Sequence, residues 1–195
     1  VYVVITAIKQ SLSVEFCIEK RERMVSQRPS FVVCLPLLKK KAFERACYAA
    51  VELGATEIVL VSTDKSSSQR ITQHELERLR GIMITAAEQS KSFCIPVLTP
   101  CQPLSTVIQQ WHQSDEHCSI YADQAGKPLY EVITLLRENT LLQKITVMIG
   151  PEGDLTEKEK EMVRQAGALF CSLTPTVLRS HQALSVLLGA LKASL

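Results

Sequence analysis

The sequence predicts an α/β chain: a parallel sheet with helices on both faces, preceded by the remnant of a β-rich element. Three observations carry this. From Phe31 onward, short apolar runs alternate with helical patterns, the rhythm of a parallel sheet whose crossovers are helices. Two of the helices open on a capping box, Thr72 with Glu75 and Thr156 with Glu159, in which side chain and backbone satisfy each other's orphan groups. The first twenty residues instead hold two β-like runs with no helix between them.

Taken in order, Val1 to Ile8 and Ser13 to Glu19 are those β-like runs, separated by the polar Lys9-Gln10-Ser11. The chain begins at Val1 inside the first of them, so the pair is expected to be the tail of a small β domain whose front is missing. Lys20 to Arg28 is a charged turn, and Phe31 to Leu35 is a strand ending near Pro36. Lys41 to Leu53 is a helix closed by Gly54, the residue type that takes the left-handed conformation beyond a helix end. Glu57 to Val61 is a strand, Ser62 to Arg70 a polar loop, and Thr72 to about Lys91 a long helix. Ser92 to Pro103 is a proline-containing irregular link, and Leu104 to Trp111 a shorter helix. The remaining strands are Cys118 to Ala122, Ile145 to Ile149 and Ala168 to Leu173. Helices over Pro128 to Arg137, residues 156–166 and Leu178 to Leu195 follow them. The expected division is a β element over residues 1–30 and an α/β domain over 31–195.

Composition narrows the function classes. Apolar residues make up 46% of the 195, enough for a real core. No apolar run approaches the ~18 residues of a bilayer span, and no secretory signal is visible. Seven cysteines are scattered without a CxxC pair, which predicts reduced, buried thiols in a cytoplasmic protein and no zinc site. Neither GxGxxG nor GxxxxGK[ST] is present, which argues against nicotinamide-dependent dehydrogenases and P-loop NTPases. There is no GxSxG elbow, and His74, His112, His117 and His181 form no metal pair at helical spacing. Net charge is only +2, yet residues 1–45 hold nine of the 22 basic and four of the 20 acidic residues. An N-terminal surface facing a polyanion is the expected consequence.

Candidate chemistry lies in three stretches that each follow a strand and precede a helix: Tyr121 to Gly126, Gly150 to Leu155, and Leu173 to Arg179. In an open α/β sheet, ligands bind outside the carboxyl ends of the strands. Gly150 and Gly153 carry no Cβ, so the backbone there can approach a ligand closely. A nucleoside-bearing cofactor is the kind of ligand such a cleft would take. Arg179 sits at a helix N-terminus, where a cation opposes the helix dipole, so a phosphate or carboxylate partner is expected for it.

Several segments together carry a family resemblance. Glu52-Leu53-Gly54-Ala55-Thr56-Glu57-Ile58-Val59 is similar to ELGVxxIxP, Ala86-Ala87-Glu88-Gln89-Ser90 to EAAEQSGR, Ile149 to Gly153 to IGPEGG, and Leu178-Arg179 with Ala183 to ILRTETA. In this order, over roughly residues 35–195, the chain resembles the SPOUT-class methyltransferases of the RsmE type, which modify uridine N3 in 16S ribosomal RNA. The resemblance implies a SPOUT-type sheet with a C-terminal trefoil knot, and a PUA-like RNA-binding β domain of which residues 1–30 are the last part. It also implies S-adenosyl-L-methionine across the three loops, and a homodimer.

The implied cofactor residues are Tyr121, Ala122, Ile149, Gly150, Pro151, Glu152, Gly153, Leu173, Thr174 and Leu178. Arg179 is assigned to catalysis or substrate phosphate, and His181 is a candidate acid–base group because its unperturbed pKa lies near ~6.5. Lys20, Arg21, Arg23, Lys39, Lys40, Lys41 and Lys65 would hold RNA, either small-subunit rRNA or an assembling 30S particle. The chain departs from the family pattern in several places. Asp154 and Leu155 stand where a glycine and a phenylalanine are usual, Thr174 replaces the glycine of SLG, and Ser180-His181-Gln182 replaces Thr-Glu-Thr. Ser92 and Ala49 stand where basic residues are usual, and Thr63-Asp64-Lys65-Ser66 stands for TERS. Alternatives are another RNA target such as tRNA, or an RNA-binding assembly protein that lost the chemistry.

Overall fold

The computed structural model describes residues 2–9, 13–20, 28–66, 71–92, 94–111 and 114–195. β1 (Tyr2–Lys9) and β2 (Ser13–Lys20) pair antiparallel in a two-stranded sheet. β3 (Ser30–Pro36), β4 (Glu57–Ser62), β5 (Val97–Pro103), β6 (His117–Pro128), β7 (Lys144–Met148) and β8 (Leu169–Ser172) build a six-stranded sheet in the order β5-β4-β3-β7-β6-β8. All its pairings are parallel. The helices are α1 (Lys40–Glu52), α2 (Gln73–Gln89), α3 (Leu104–Ile108), α4 (Leu129–Glu138), α5 (Glu157–Gln165) and α6 (Ser180–Ser194).

Strand periodicity sorts the core into two layers. Phe31, Val33 and Leu35 of β3 share one cluster with α1, α2, α4 and α6, while Val32 and Cys34 share the other with α3 and α5. Both faces are therefore covered, as a parallel sheet requires. Leu184, Leu187, Leu188 and Leu191 repeat at helical spacing along α6 and are fully buried, each contributing roughly 1.5–3 kcal/mol. Both expected capping boxes form, at the starts of α2 and α5. Gly54 takes φ +76° just beyond α1.

Four features differ from the sequence expectation. Val97–Pro103 is a strand and not an irregular link, pairing with β4 at the sheet edge. An edge strand accepts proline because one of its sides has no ladder partner, and the pairing is irregular around Pro100. The stretch Tyr121 to Gly126 is no free loop. β6 continues to Pro128, with Ala122 and Lys127 both opposite Cys171 of β8, so residues 123–126 form a bulge within the strand. The helix expected from Leu104 to Trp111 stops at Ile108. Of the cysteines, Cys34, Cys47 and Cys171 are buried, whereas Cys17, Cys94 and Cys101 are exposed. No helix among the described residues is long and apolar enough to cross a membrane.

Candidate active site

The carboxyl ends of β6, β7 and β8 meet the N-terminal ends of α1 and α6 around an open cleft of about 930 Å³. Three chain segments floor it: Ala122 to Ala125, Ile149 to Glu152 with Asp154, and Leu173 with Thr174. Lys39, Lys41, Arg45, Leu178, Arg179 and His181 wall it on the helix side. The cleft lies where the strand order turns back across β3 and β7, the usual ligand position of an open sheet.

Of the residues expected at the site, Ala122, Ile149, Gly150, Pro151, Glu152, Leu173, Thr174, Leu178, Arg179 and His181 line this cleft. Tyr121 and Gly153 do not. Tyr121 is fully buried, packed edge-to-face on Phe170 with ring centroids 5.2 Å apart. A large aromatic on an inward strand position serves the core, and only its hydroxyl reaches the loop behind the cleft. Gly153 turns away, and a Cβ placed there would meet the Lys65 side chain at 3.3 Å. Lys65 thus covers the back of the β7–α5 loop and does not line the cleft. The Lys39-Lys40-Lys41 run also divides. Lys39 and Lys41 face the cleft, while Lys40 lines a separate small hollow with Glu44, Glu75 and Arg78. Successive helix positions point about 100° apart, so such a run does not present one patch. Lys20 ends β2 and is exposed. Arg21, Arg23 and His112 lie outside the described residues.

Asp154 has φ +58°, a left-handed conformation that costs a side-chain-bearing residue roughly 1–2 kcal/mol. Its carboxylate compensates. Oδ1 accepts from the Tyr121 hydroxyl at 2.7 Å and from the Leu155 N–H at 2.8 Å, and Oδ2 lies 2.6 Å from Lys160 Nζ. The same ammonium is 2.8 Å from Asp123 Oδ2, and Asp123 Oδ1 accepts the Ala125 N–H at 2.8 Å. Burial works against charge on Lys160, but the bonds from Asp123 and Asp154 outweigh it and hold the ammonium firmly protonated. Burial and the Asp154 carboxylate likewise keep the Tyr121 hydroxyl in its donor form.

Asp154 is held below the ordinary carboxylate range. Burial opposes its ionisation, and Lys160, Tyr121 and the Leu155 N–H together win. Because the folded state holds this proton less tightly than the unfolded chain, the resulting stability is complete above about pH 4 and is lost as pH falls through the folded value. Urea unfolding between pH 5 and 3 should therefore show a shallower acid loss for Asp154→Asn than for the unaltered chain. Parallel curves would exclude this carboxylate as a contributor.

Two further acids fix the frame. Glu152 Oε1 accepts the Lys39 N–H at 2.9 Å, tying the β7 loop to the start of α1. Glu159 is buried, yet accepts the Asp64 N–H and the Thr156 N–H, each at 2.8 Å, so the loop after β4 docks on α5. His181 is held below its usual pKa by partial burial and then by Arg45 and Arg179, which keeps the ring neutral near pH 7. Sequence reasoning placed Asp123 in a candidate stretch without a role, and missed Lys160 and Arg45. The helical spacing of Lys41 and Arg45 was a usable signal for Arg45. Nothing local marked Lys160, one charge in the Glu157-Lys158-Glu159-Lys160-Glu161 run.

Apolar Ala122, Ile149 and Leu173 line the cleft beside Asp123, Glu152 and Asp154, and Lys39, Lys41, Arg45, Lys160 and Arg179 line it as well. Lys160 pairs with Asp123 and Asp154, which leaves an excess of positive charge from Lys39, Lys41, Arg45 and Arg179. The apolar floor suits an uncharged aromatic group, and the excess cations suit an anionic ligand.

Known proteins share this architecture. A crystal structure of a ribosomal RNA small subunit methyltransferase E from Neisseria gonorrhoeae, bound to S-adenosyl methionine, superposes with TM-score 0.75 at 22% identity, covering 85% of this chain and 66% of that one. A methyltransferase from Legionella pneumophila, also with bound cofactor, gives 0.81 at 23% over 98% and 77%. Ribosomal RNA small subunit methyltransferase E of Rickettsia conorii is 25% identical over 178 residues, 90% of this chain and 68% of the relative. The Synechocystis protein of that name is 25% identical over 84% and 53%. The chain thus spans from about half to two-thirds of the length of these curated relatives. The profile of the RNA methyltransferase domain matches residues 26–192, which takes in the whole six-stranded sheet and every segment lining the cleft, and the chain belongs to that family.

Proposed function

We propose that this chain is an S-adenosylmethionine-dependent methyltransferase acting on uridine N3 of small-subunit ribosomal RNA. The single observation that carries the reading is a cleft at the strand ends with an apolar floor and an excess of cations. Gly150 supports the cofactor's fit, because a Cβ there would come within 2.8 Å of Asp154 Oδ1 and 3.0 Å of the Tyr121 hydroxyl and displace them. Ile149, Leu173 and Leu178 would flank the adenine, and the exposed carboxylates of Glu152 and Asp154 would face the cationic end. The names of the relatives support the RNA target. When bound, S-adenosylmethionine supplies a methyl group activated by a sulfonium.

The chain's own residues supply the rest. Uracil N3 must lose its proton, and neutral His181 is the acceptor within the cleft. Arg179 and Arg45 favour the uracil anion, or hold the adjoining phosphate, by charge. Lys39 and Lys41 would extend the phosphate track, giving salt-dependent, largely sequence-independent affinity.

Architecture enters the same reading. The match to the RNA methyltransferase domain, together with the family resemblance of residues 35–195, supports a C-terminal trefoil knot. The homodimer implied by the family resemblance belongs to the same reading. The antiparallel β1–β2 pair supports a PUA-like β element over residues 1–30 joined to a SPOUT domain over 31–195.

Isothermal titration with S-adenosylmethionine and S-adenosylhomocysteine tests the core of this reading. The expected result is one saturable site per chain, abolished by Gly150→Trp. No binding of either compound would overturn it.

A further inference from the structure

We propose that Lys160 is a positioning residue for the cofactor: its ammonium clasps the bulge of β6 to the β7–α5 loop and holds both in the shape that binds. This rests on the cofactor reading above and adds to it a residue that the sequence did not mark.

The geometry is specific. Lys160 projects from α5, a rigid helix anchored by a complete capping box at Thr156 and by buried Val163. Its Nζ takes Asp123 Oδ2 at 2.8 Å on one side and Asp154 Oδ2 at 2.6 Å on the other. Asp123 and Lys160 expose only 7% and 14% of their side chains, whereas Asp154 exposes 53%. All three residues line the cleft, and the ammonium is engaged by carboxylates from both segments. Asp123 and Asp154 stand on the two separate cleft segments that flank Gly150, so one cation fixes their separation.

A loop holding a residue at φ +58° is under local strain and relaxes unless its surroundings over-determine it. Tyr121, Leu155 and Lys160 are those surroundings. Removing Lys160 leaves two neighbouring carboxylates without their shared counter-charge, and their repulsion pushes the segments apart.

Glycine at position 154 would adopt the left-handed conformation without strain. This gives a coupling test. Cofactor dissociation constants are measured by titration for the unaltered chain, Lys160→Met, Asp154→Gly, Asp154→Ala and the double variant Asp154→Gly/Lys160→Met, with melting temperatures alongside. Lys160→Met is expected to weaken S-adenosylmethionine about tenfold or more, and Asp154→Ala to weaken it more than Asp154→Gly does. In the Asp154→Gly background, Lys160→Met should cost about threefold or less. Lys160→Arg should recover part of the affinity. Hydrogen exchange at residues 123–126 and 151–155 should speed up in Lys160→Met while the β3 and β7 amides stay protected.

Equal factors in both backgrounds, or unchanged affinity in Lys160→Met, would overturn the proposal. So would a Lys160→Met chain that loses protection throughout the sheet, since that is a merely structural role. Failure of the unaltered chain to bind would instead overturn the cofactor reading itself.

Discussion

Gly126→Ala is expected to destabilise this chain strongly, and more than the same change at Gly150 or Gly153. An added Cβ would fall 2.3 Å from the Phe170 carbonyl carbon, 2.4 Å from the Cys171 nitrogen and 2.5 Å from the Phe170 oxygen. All three atoms belong to the backbone of β8, so no rotamer change relieves the overlap. At Gly150 and Gly153 the nearest atoms belong instead to the side chains of Asp154 and Lys65. β8 itself is held by its pairing with β6 and by buried Cys171. Overpacking against flexible side chains typically costs 1–3 kcal/mol, and against a fixed backbone the loss should be roughly 3 kcal/mol or more. For a domain of this size that is a fall in melting temperature of roughly 6–12 °C. Gly81 is the internal control. It lies in α2 with nothing within 4 Å of an added Cβ, so Gly81→Ala should raise stability by roughly 0.5–1 kcal/mol through helix propensity alone. Thermal melts of the two variants should move in opposite directions. A Gly126→Ala chain that melts like its parent would mean that the bulge can lift off β8.

The contrast between these glycines shows what local sequence reveals. Capping boxes, the α6 leucine stripe and the apolar strands were readable because their causes lie within a few residues. Thr72 sees Glu75, Thr156 sees Glu159, and leucines three and four apart share a face. β5 was not readable, since Pro100 and Pro103 mask a strand that exists only because β4 offers it an edge. The carboxyl ends of β7 and β8 were located to within a residue, that of β6 was not because the strand resumes after its bulge, and ten of the expected cofactor and catalytic residues line the cleft. Which side chains turn inward was not legible. Tyr121 faces the core because of its place in the β6 pleat, and Lys160 meets Asp123 only through the packing of α5 against the sheet edge. Substitution at glycine positions of the family pattern was legible as a departure but not as a consequence. Asp154 keeps a glycine-like φ of +58°, and Lys91, where EAAEQSGR has its glycine, keeps +54°. The backbone path persists, and side-chain bonds have to support it at Asp154.

Arg179→Ala should lower methyl transfer by roughly a hundredfold or more, the scale seen when one group that stabilises developing charge is removed. Cofactor affinity should stay within about threefold. Arg179 is the N-cap residue of α6, its side chain makes no capping bond, and it is exposed toward the cleft. Its loss therefore removes charge without opening the core. Leu184, Leu187, Leu188 and Leu191 still anchor the helix. A second readout separates a chemical role from a structural one. Arg179 is one of the cations that hold His181 below its ordinary pKa. Removing that charge lets the imidazole bind its proton more readily, so the His181 pKa rises toward ~6.5. If neutral His181 accepts the uracil N3 proton, activity is lost as pH falls through that value. The acid limb of the rate profile in Arg179→Ala should then move to higher pH, on top of the overall drop, and Arg45→Ala should move it the same way. An unshifted limb in both variants would remove His181 from the proton transfer. Equal losses of turnover and cofactor affinity in Arg179→Ala would place Arg179 in the cofactor pocket instead. Arg179→Lys should recover only part of the rate, because an ammonium keeps the charge but not the planar two-point grip of a guanidinium on a phosphate or a uracil carbonyl.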